Sequence, residues 1–496
     1  MIFAVIFVSS IVILTLVYLN GKYNENYWQK RGVAFYKKNK VTGLVWDFLF
    51  QDKPFFQLFD DIYKEYANEP AVALGSFLTP ALYVKDPVNV NHVLQADFHN
   101  FNHRGIAFIE DDKLAQNVLM LYGPKWKLVR QSLTPLFTTA KLKNMYYIMD
   151  KSAQDFVQFL KMKPEDIQSD GFQICNAFCC AAITASVFGI GRNSTFDSPF
   201  IPFVQEALHP TFWKNIKFAL ASLDASLFKT LRLSLFSVHE DWFIEAIKQV
   251  IRQREKENVK KNDFADLCVS LQKKGTMKDP ETGYELEPTD ELLAAQAFFF
   301  FLAGLEPSAS AMFSTIIEVG RHPEILQRVH EEIDETFEKY NGLLTYDAIM
   351  EMKYLDNVIN EAMRMYPPIG FLTRECVQNT VLPVGNIKVD KGTKIFMPIY
   401  EIHHDTKYYK NPEVFDPERF SNECKVSDAS YMPFGRGNRV CIGLRFAKLQ
   451  IKAGIVHALR RFTVNTTVQT GGIKYKKEQV QVRLANVDFE FIPRKS

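Results

Sequence analysis

The stretch PFGRGNRVCIG, Pro433 to Gly443, places Gly435, Gly437 and Gly443 around one cysteine, Cys441. A thiolate that binds a metal carries concentrated negative charge and needs backbone N–H groups aimed at it. Residues without a Cβ let the backbone come that close. Arg439, two residues before the sulfur, brings a fixed positive charge. The following LRFAKLQIKAGIVHAL reads as a helix, so Cys441 lies just before a helix N-terminus, where the dipole lowers a thiol pKa. A lone cysteine in a glycine-rich loop is most often inert, but Phe-Gly-x-Gly-x-Arg-x-Cys-x-Gly is a far more specific string. The other cysteines, Cys175, Cys179, Cys180, Cys268, Cys376 and Cys424, bring the count to seven, with no C-x-x-C pair. That pattern is neither a zinc site nor a secreted disulfide framework, and it reads as reduced thiols facing a cytosolic compartment.

The 496 residues are 47% apolar and 23% charged, ordinary for a globular protein with a large core. A net charge of +2 gives no bulk electrostatic reason to expect nucleic acid as a partner. Forty-two phenylalanines point to aromatic core packing, or to a large apolar cavity or membrane-facing surface. MIFAVIFVSSIVILTLVYL carries no charged side chain through Leu19. At roughly 1.5 Å per residue it spans a hydrocarbon core of about 30 Å. It lacks a basic leader and a small-x-small cleavage site, so a signal anchor is the stronger reading and a cleaved signal peptide the weaker. Lys22, Lys30, Arg31, Lys37, Lys38 and Lys40 follow it and hold the remainder on the cytosolic side. There the sequons at Asn193 and Asn465 stay unmodified.

These signals divide the chain into a transmembrane helix over 1–20, a basic linker over 21–45 and a catalytic domain over 46–496. Ala71–Pro87 reads as two short strands around a turn. From about 88 to 370 the pattern is mostly helical, with amphipathic stretches at 237–257 and 323–340. Gly385-Asn386 and Asp390-Lys391-Gly392 punctuate short β-branched runs as hairpins, and 474–493 alternates like a strand. The expected fold is mainly α with small β-sheets. The apolar run Leu292–Leu305 is too short before Glu306 for a second span and reads as a buried core helix. Phe212–Phe236 fits either a membrane-touching surface or an ordinary helix pair.

The cysteine string resembles the haem-binding loop of cytochrome P450, the haem-thiolate monooxygenases, whose thiolate pushes electron density onto the iron. The resemblance covers nearly the whole chain, anchor included, and is to insect microsomal, xenobiotic-metabolising members. It implies the cytochrome P450 fold and haem b, with Cys441 as axial ligand of the iron, Phe434 shielding the sulfur, and Gly435 and Gly443 in the loop around it. It makes Trp126 and Arg130 of WKLVR, with Arg374 and Arg439, partners of the haem propionates, a role that suits bidentate arginine. The loop before them holds His103 and Arg104, either of which adds a further contact. Glu361 and Arg364 of EAMR share a helix face at i, i+3. The resemblance buries them with Arg419 of DPERF as a structural trio, because buried charges require such pairing.

In the same family the helix crossing the haem carries an acid followed by threonine. Here it reads Ala303-Gly304-Leu305-Glu306-Pro307-Ser308. Phe299, Leu302, Ala303 and Glu306 follow i, i+3, i+4, i+7 and share one face, which by resemblance looks at haem and substrate. Pro307 cannot donate to the Ala303 carbonyl and disturbs that turn, at a cost of about 3 kcal/mol in an ordinary helix interior. The expectation is a break made by covalent restraint where relatives use a threonine hydroxyl and water. The hydroxyl that the resemblance assigns to proton delivery is missing, and Ser308 lies about 100° round the helix, so imperfect coupling follows. Ile369, Phe371 and Leu372 join Phe299, Leu302 and Ala303 as the apolar substrate wall.

The function implied is a membrane-bound monooxygenase of the endoplasmic reticulum, facing the cytosol and acting on lipophilic molecules such as plant toxins or insecticides. Its electrons come from NADPH through a separate NADPH-cytochrome P450 reductase, with cytochrome b5 as a further candidate donor; the chain has no dinucleotide-binding G-x-G-x-x-G or P-loop of its own. Lys125, Lys127, Arg436, Arg445 and Lys448 are candidates to dock that reductase. Two rivals stay open: a haem-thiolate isomerase or dehydratase of peroxides that needs no NADPH, and a non-catalytic haem protein that binds hydrophobic ligands. Pro307 keeps the first alive and Glu306 argues against it.

Overall fold

The computed structural model describes residues 2–38, 40–41, 43–44, 47, 53–76, 79–162, 170–188, 194–198, 201–202, 211–223, 225–257, 260–422, 426–427, 429–477 and 481–494. The helices that frame the site are α1 (Ile2–Gln29), α2 (Gly123–Leu133), α3 (Thr139–Met162), α4 (Gly171–Phe188), α5 (Phe212–Leu223), α6 (Glu240–Glu257), α7 (Asp290–Gly304), α8 (Glu306–Arg321), α9 (Pro323–Lys339), α10 (Lys353–Met365), the short α11 (Tyr400–His403) and α12 (Leu444–Arg461). Apart from two-residue pairs at Met277–Lys278 with Glu285–Leu286 and Lys474–Tyr475 with Leu484–Ala485, the strands are β1 (Ala34–Phe35), β2 (Ala71–Leu74), β3 (Ala81–Val84), β4 (Phe371–Glu375), β5 (Thr380–Leu382), β6 (Ile387–Val389), β7 (Lys394–Pro398), β8 (Phe462–Val468) and β9 (Val487–Pro493).

Helix α7 starts where its sequence provides a cap. Thr289 Oγ1 accepts the Leu292 N–H at 3.2 Å, and Asp290 and Glu291 in the first turn complement the dipole. Its phenylalanines then serve as core: Phe298 meets Phe236 at 5.0 Å and Phe243 at 5.3 Å between ring centroids. Residues 290–321 are long and apolar enough to cross a membrane by composition, but 72% of that apolar window is buried. The run is therefore the centre of the protein. Helix α4 lies across α3, α7 and α8, and α12 packs between α3 and α8. Thus the helix that follows the cysteine loop is locked to the helix that carries Glu306.

The five-stranded sheet has the order β1-β2-β3-β7-β4. β2 and β3 pair antiparallel with Val72 opposite Tyr83, the two short strands expected within Ala71–Pro87. β4 and β7 pair antiparallel with Arg374 opposite Ile395, which fixes the arginine's height. β5 and β6 form a hairpin whose turn uses Gly385 at φ 84° and Asn386 at φ 47°. β8 and β9 pair along their whole length at the C-terminal end.

Helix α1 differs from the expected division at residue 20. Its apolar side chains from Phe7 to Leu19 are exposed, Leu14 by 67%. It then continues without interruption to Gln29 as part of the body. Asn20 and Asn24 donate to the Ser76 carbonyl at 3.1 and 2.7 Å, and Tyr27 and Arg31 both reach Asp390. Trp28, Val33 and Phe35 are buried with Leu82 and Ile395, and β1 pairs parallel with β2. The polar composition of 21–45 hid these three anchoring side chains. The boundary at 45–46, Asn193 and Cys424 lie outside the described residues.

The stretch 212–236 divides between its two readings: Phe212 and Trp213 are 68% and 69% exposed, while Phe228 is fully buried and Phe236 packs on α7. Cys175, Cys179, Cys180, Cys268 and Cys376 are buried free thiols.

Candidate active site

One cavity of about 510 Å³ gathers most of the residues that the sequence singles out. Cys441, Phe434, Gly435, Arg439 and Gly443 line one side; Trp126 and Arg130 of α2 reach it; Phe299, Leu302, Ala303, Gly304, Glu306, Pro307 and Ser308 form the opposite wall; Ile369, Phe371 and Leu372 close it. Arg374 does not line it. It is buried behind Thr373 with its Nη1 donating to that residue's carbonyl at 2.7 Å. Arg104, rather than His103, lines the cavity. His103 pairs with Glu375 at 3.1 Å.

The cysteine loop is held by its own backbone. The Cys441 N–H donates to the Phe434 carbonyl at 2.9 Å, and the Gly435 N–H to the Met432 carbonyl at 3.0 Å. Gly437 has φ 72°, and a Cβ there would overlap the Leu94 carbonyl oxygen, so glycine is demanded twice over. Burial pushes the Cys441 thiol up; the Gly443 N–H and the Arg104 and Arg130 charges pull it down. In the protein chain alone burial outweighs the lowering expected from the helix start, so the thiolate needs a cation opposite it.

Four guanidinium groups converge beside this loop. Arg104 donates to the Arg439 carbonyl and Arg130 to the Val440 carbonyl, both at 2.9 Å. Arg439 lies over the Trp126 ring and donates to the carbonyls of Asn102, Val118 and Leu121. Arg439 thus braces the loop with most of its N–H groups. Burial first, then mutual repulsion with Arg104, Arg374 and Arg130, presses Arg439 below its ordinary value, and burial does the same to the other three. Arginine keeps its proton in proteins. The Nε groups of Arg104 and Arg374 are buried with no partner among the described residues. A buried cluster of positive charges with orphaned donors demands an anion. Beside a cysteine in a glycine cradle and an apolar cavity, a haem with its two carboxylates answers both demands, so the residues present fit the group.

Glu306 does not share one continuous helix with Phe299. The helix breaks at Leu305 (φ −83°, ψ −76°), and Glu306 opens α8. Pro307 is therefore in the first turn of a new helix, where its missing N–H costs little. The Ala309 N–H still reaches the Leu305 carbonyl at 3.0 Å. Arg483 Nη1 donates to Glu306 Oε1 at 3.3 Å, and the Gln481 amide, turned so that its nitrogen faces the carboxylate, donates to both oxygens at 2.8 and 2.9 Å. Burial raises the Glu306 pKa against these donors. Neither Gln481 nor Arg483 carries any local signal in the sequence.

Behind the cysteine loop, Arg364 Nε and Nη2 donate to the two oxygens of Glu361 at 2.8 and 2.9 Å, with both side chains fully buried. Arg419 Nε and the Asp416 N–H also donate to Glu361 Oε1, at 3.2 and 3.0 Å. Burial raises the Glu361 pKa and Arg364, the next cause, lowers it. Arg364 also donates to the carbonyls of His403 and Pro412, at 2.7 Å each.

The Cytochrome P450 family model matches residues 40–490. The chain belongs to the cytochrome P450 family. Cytochrome P450 6j1 of Blattella germanica is 36% identical over 473 residues, 93% of this chain and 91% of that protein. Cytochrome P450 6B5 of Papilio glaucus is 32% identical over 474 residues, 94% of this chain and 98% of that one. A probable cytochrome P450 6a13 of Drosophila melanogaster is 32% identical, covering 92% of each chain. As a cytochrome P450, the protein is a monooxygenase that uses a haem with thiolate-ligated iron, receives electrons from NADPH through a reductase and acts on lipophilic substrates.

Proposed function

We propose that this cytochrome P450 is a membrane-bound monooxygenase of lipophilic xenobiotics, plant toxins or insecticides, working on the cytosolic face of the endoplasmic reticulum. The observation that carries it is the meeting, at one apolar cavity, of a cradled cysteine and a buried arginine cluster that has no carboxylate paired with it among the described residues. Bound there, the haem supplies oxygen activation and redox chemistry. Cys441 is the ligand. Arg104 and Arg130 with Trp126 would take its carboxylates, Arg439 would do so with its one remaining N–H while bracing the loop, and Arg374, behind Thr373, would contribute its charge from outside the cavity. Phe299, Leu302, Ala303, Ile369, Phe371 and Leu372 exclude water and hold the substrate by shape, which selects loosely. Glu306 holds or passes a proton at its carboxyl oxygens, with Arg483 and Gln481 setting its direction. Ser308, buried at the cavity wall one residue after Pro307, carries the hydroxyl nearest to it along the chain.

The exposed apolar face of α1 supports the anchor. Exposed Arg445 supports docking of the reductase on the Cys441 side, and cytochrome b5 is a second candidate there. Lys127 is a weaker contributor, since Asp279 and Glu281 already hold it at 2.9 and 2.8 Å. The test is Cys441→Ser in the haem-loaded enzyme. The thiolate-type ferrous–CO spectrum should vanish; its survival would remove Cys441 from the ligand position. Turnover should require reductase, NADPH and oxygen, and product formed from a peroxide without reductase would favour an isomerase instead.

A further inference from the structure

His403 lies between the buried ion pair and the cysteine loop and is fully buried. The Met432 N–H donates to its Nε2 at 3.0 Å, which obliges the ring to carry its proton on Nδ1. That Nδ1 donates to the Arg364 carbonyl at 3.0 Å. The His403 carbonyl in turn accepts Arg364 Nη1 at 2.7 Å. The ring stacks on Tyr431 at 5.6 Å and 20°, and the Tyr431 hydroxyl donates to the Asn360 carbonyl at 3.0 Å. Met432 opens the stretch that ends at the sulfur: its carbonyl receives the Gly435 N–H, and the Phe434 carbonyl receives the Cys441 N–H.

We propose that His403 is a positioning residue for Cys441, tying the main chain of Arg364 to the first residue of the cysteine loop through both of its ring nitrogens. The proposal rests on Cys441 being the iron ligand. An apolar side chain of the same volume would fill the space and stack on Tyr431. It would leave the Met432 N–H and the Arg364 carbonyl buried without a partner, and the loop would relax to satisfy them. Because the loop's backbone bonds run from Met432 to Cys441, that relaxation moves the sulfur and its N–H environment, on which ligand basicity depends.

The experiment uses the full haem-loaded chain and three variants. His403→Phe keeps an aromatic ring to stack on Tyr431, slightly larger than the imidazole, but neither hydrogen bond. His403→Gln keeps one donor and one acceptor on a longer arm. Cys441→Ser is the control for the ligand itself. The rate at which the ferrous–CO form changes from thiolate to neutral-thiol ligation, the iron reduction potential and the thermal midpoint are recorded for each. His403→Phe should change ligation about tenfold faster, the factor carried by one to two lost buried hydrogen bonds, and should shift the potential, while His403→Gln stays near the wild type. A lowered midpoint in His403→Phe with the ligation rate and potential unmoved would reduce His403 to packing and overturn the proposal. If His403→Phe fails to load haem, His403→Asn decides, because its short amide cannot span both partners. Wild-type ligation kinetics there would overturn the proposal equally. Persistence of the thiolate spectrum in Cys441→Ser would instead remove the ligand reading beneath it.

Discussion

Alanine at each of the three loop glycines should give three different results, because the structure gives each a different reason to be glycine. Gly437 has φ 72°, and an added Cβ would overlap the Leu94 carbonyl oxygen and approach its carbon to 2.9 Å. The left-handed backbone costs roughly 1–2 kcal/mol for a residue with a Cβ. Forcing an atom against main chain that cannot rotate away adds about 1–3 kcal/mol, so Gly437→Ala should lose about 2–5 kcal/mol. Gly435 has φ 71°, but its nearest neighbour would be Leu372 Cδ2 at 3.7 Å, so only the backbone cost of about 1–2 kcal/mol applies. Gly443 has φ −90° and would meet Phe137 Cε1 at 3.7 Å, ordinary contact distance. Gly443→Ala should leave the fold unchanged within about 0.5 kcal/mol. Yet Gly443 lines the cavity, so its Cβ intrudes on the space a haem fills, and haem affinity should fall although stability does not. Denaturant midpoints on the three variants measure the first quantity, and haem titration measures the second. Equal midpoints for Gly437→Ala and Gly435→Ala would refute the steric reasoning. Undiminished haem affinity in Gly443→Ala would refute the cradle.

Glu361→Gln should destabilise by about 3–5 kcal/mol, because it leaves Arg364 buried without its countercharge; Arg419→Ala, at the edge of the same group, should cost much less in the same denaturation assay. Pro307→Thr should raise product formed per NADPH consumed. Unchanged or lower coupling would show that the missing hydroxyl is not what limits proton delivery. Removal of residues 2–19 should abolish flotation with lipid vesicles while leaving the thermal midpoint of the body nearly unchanged, since the apolar side chains from Phe7 to Leu19 are exposed; retained flotation would place the bilayer contact elsewhere, such as at Phe212 and Trp213.

The parts of this site that could be read in the sequence are those in which neighbouring residues carry the chemistry. The cysteine loop, the Glu361–Arg364 pair and the strands at 71–84 each declare themselves within a few positions. His403, Gln481 and Arg483 do not, because their roles arise only when the fold brings distant segments together; Arg483 meets a carboxylate 177 positions earlier. The helix break was legible in kind and displaced in position. Pro307 signals an interruption, but the backbone turns at Leu305, where an apolar residue continues the helical pattern without announcing a change. Residues 21–45 misled for the opposite reason: average polarity described the stretch, while Trp28, Val33 and Phe35 decided its structure.

Helix α1 has no joint between its bare half and its docked half. With the first in lipid, the second transmits every change of tilt to the enzyme as a lever does. A thicker or thinner bilayer would then rotate the entrance of the cavity relative to the lipid surface, and membrane composition would help select which dissolved compounds reach the iron.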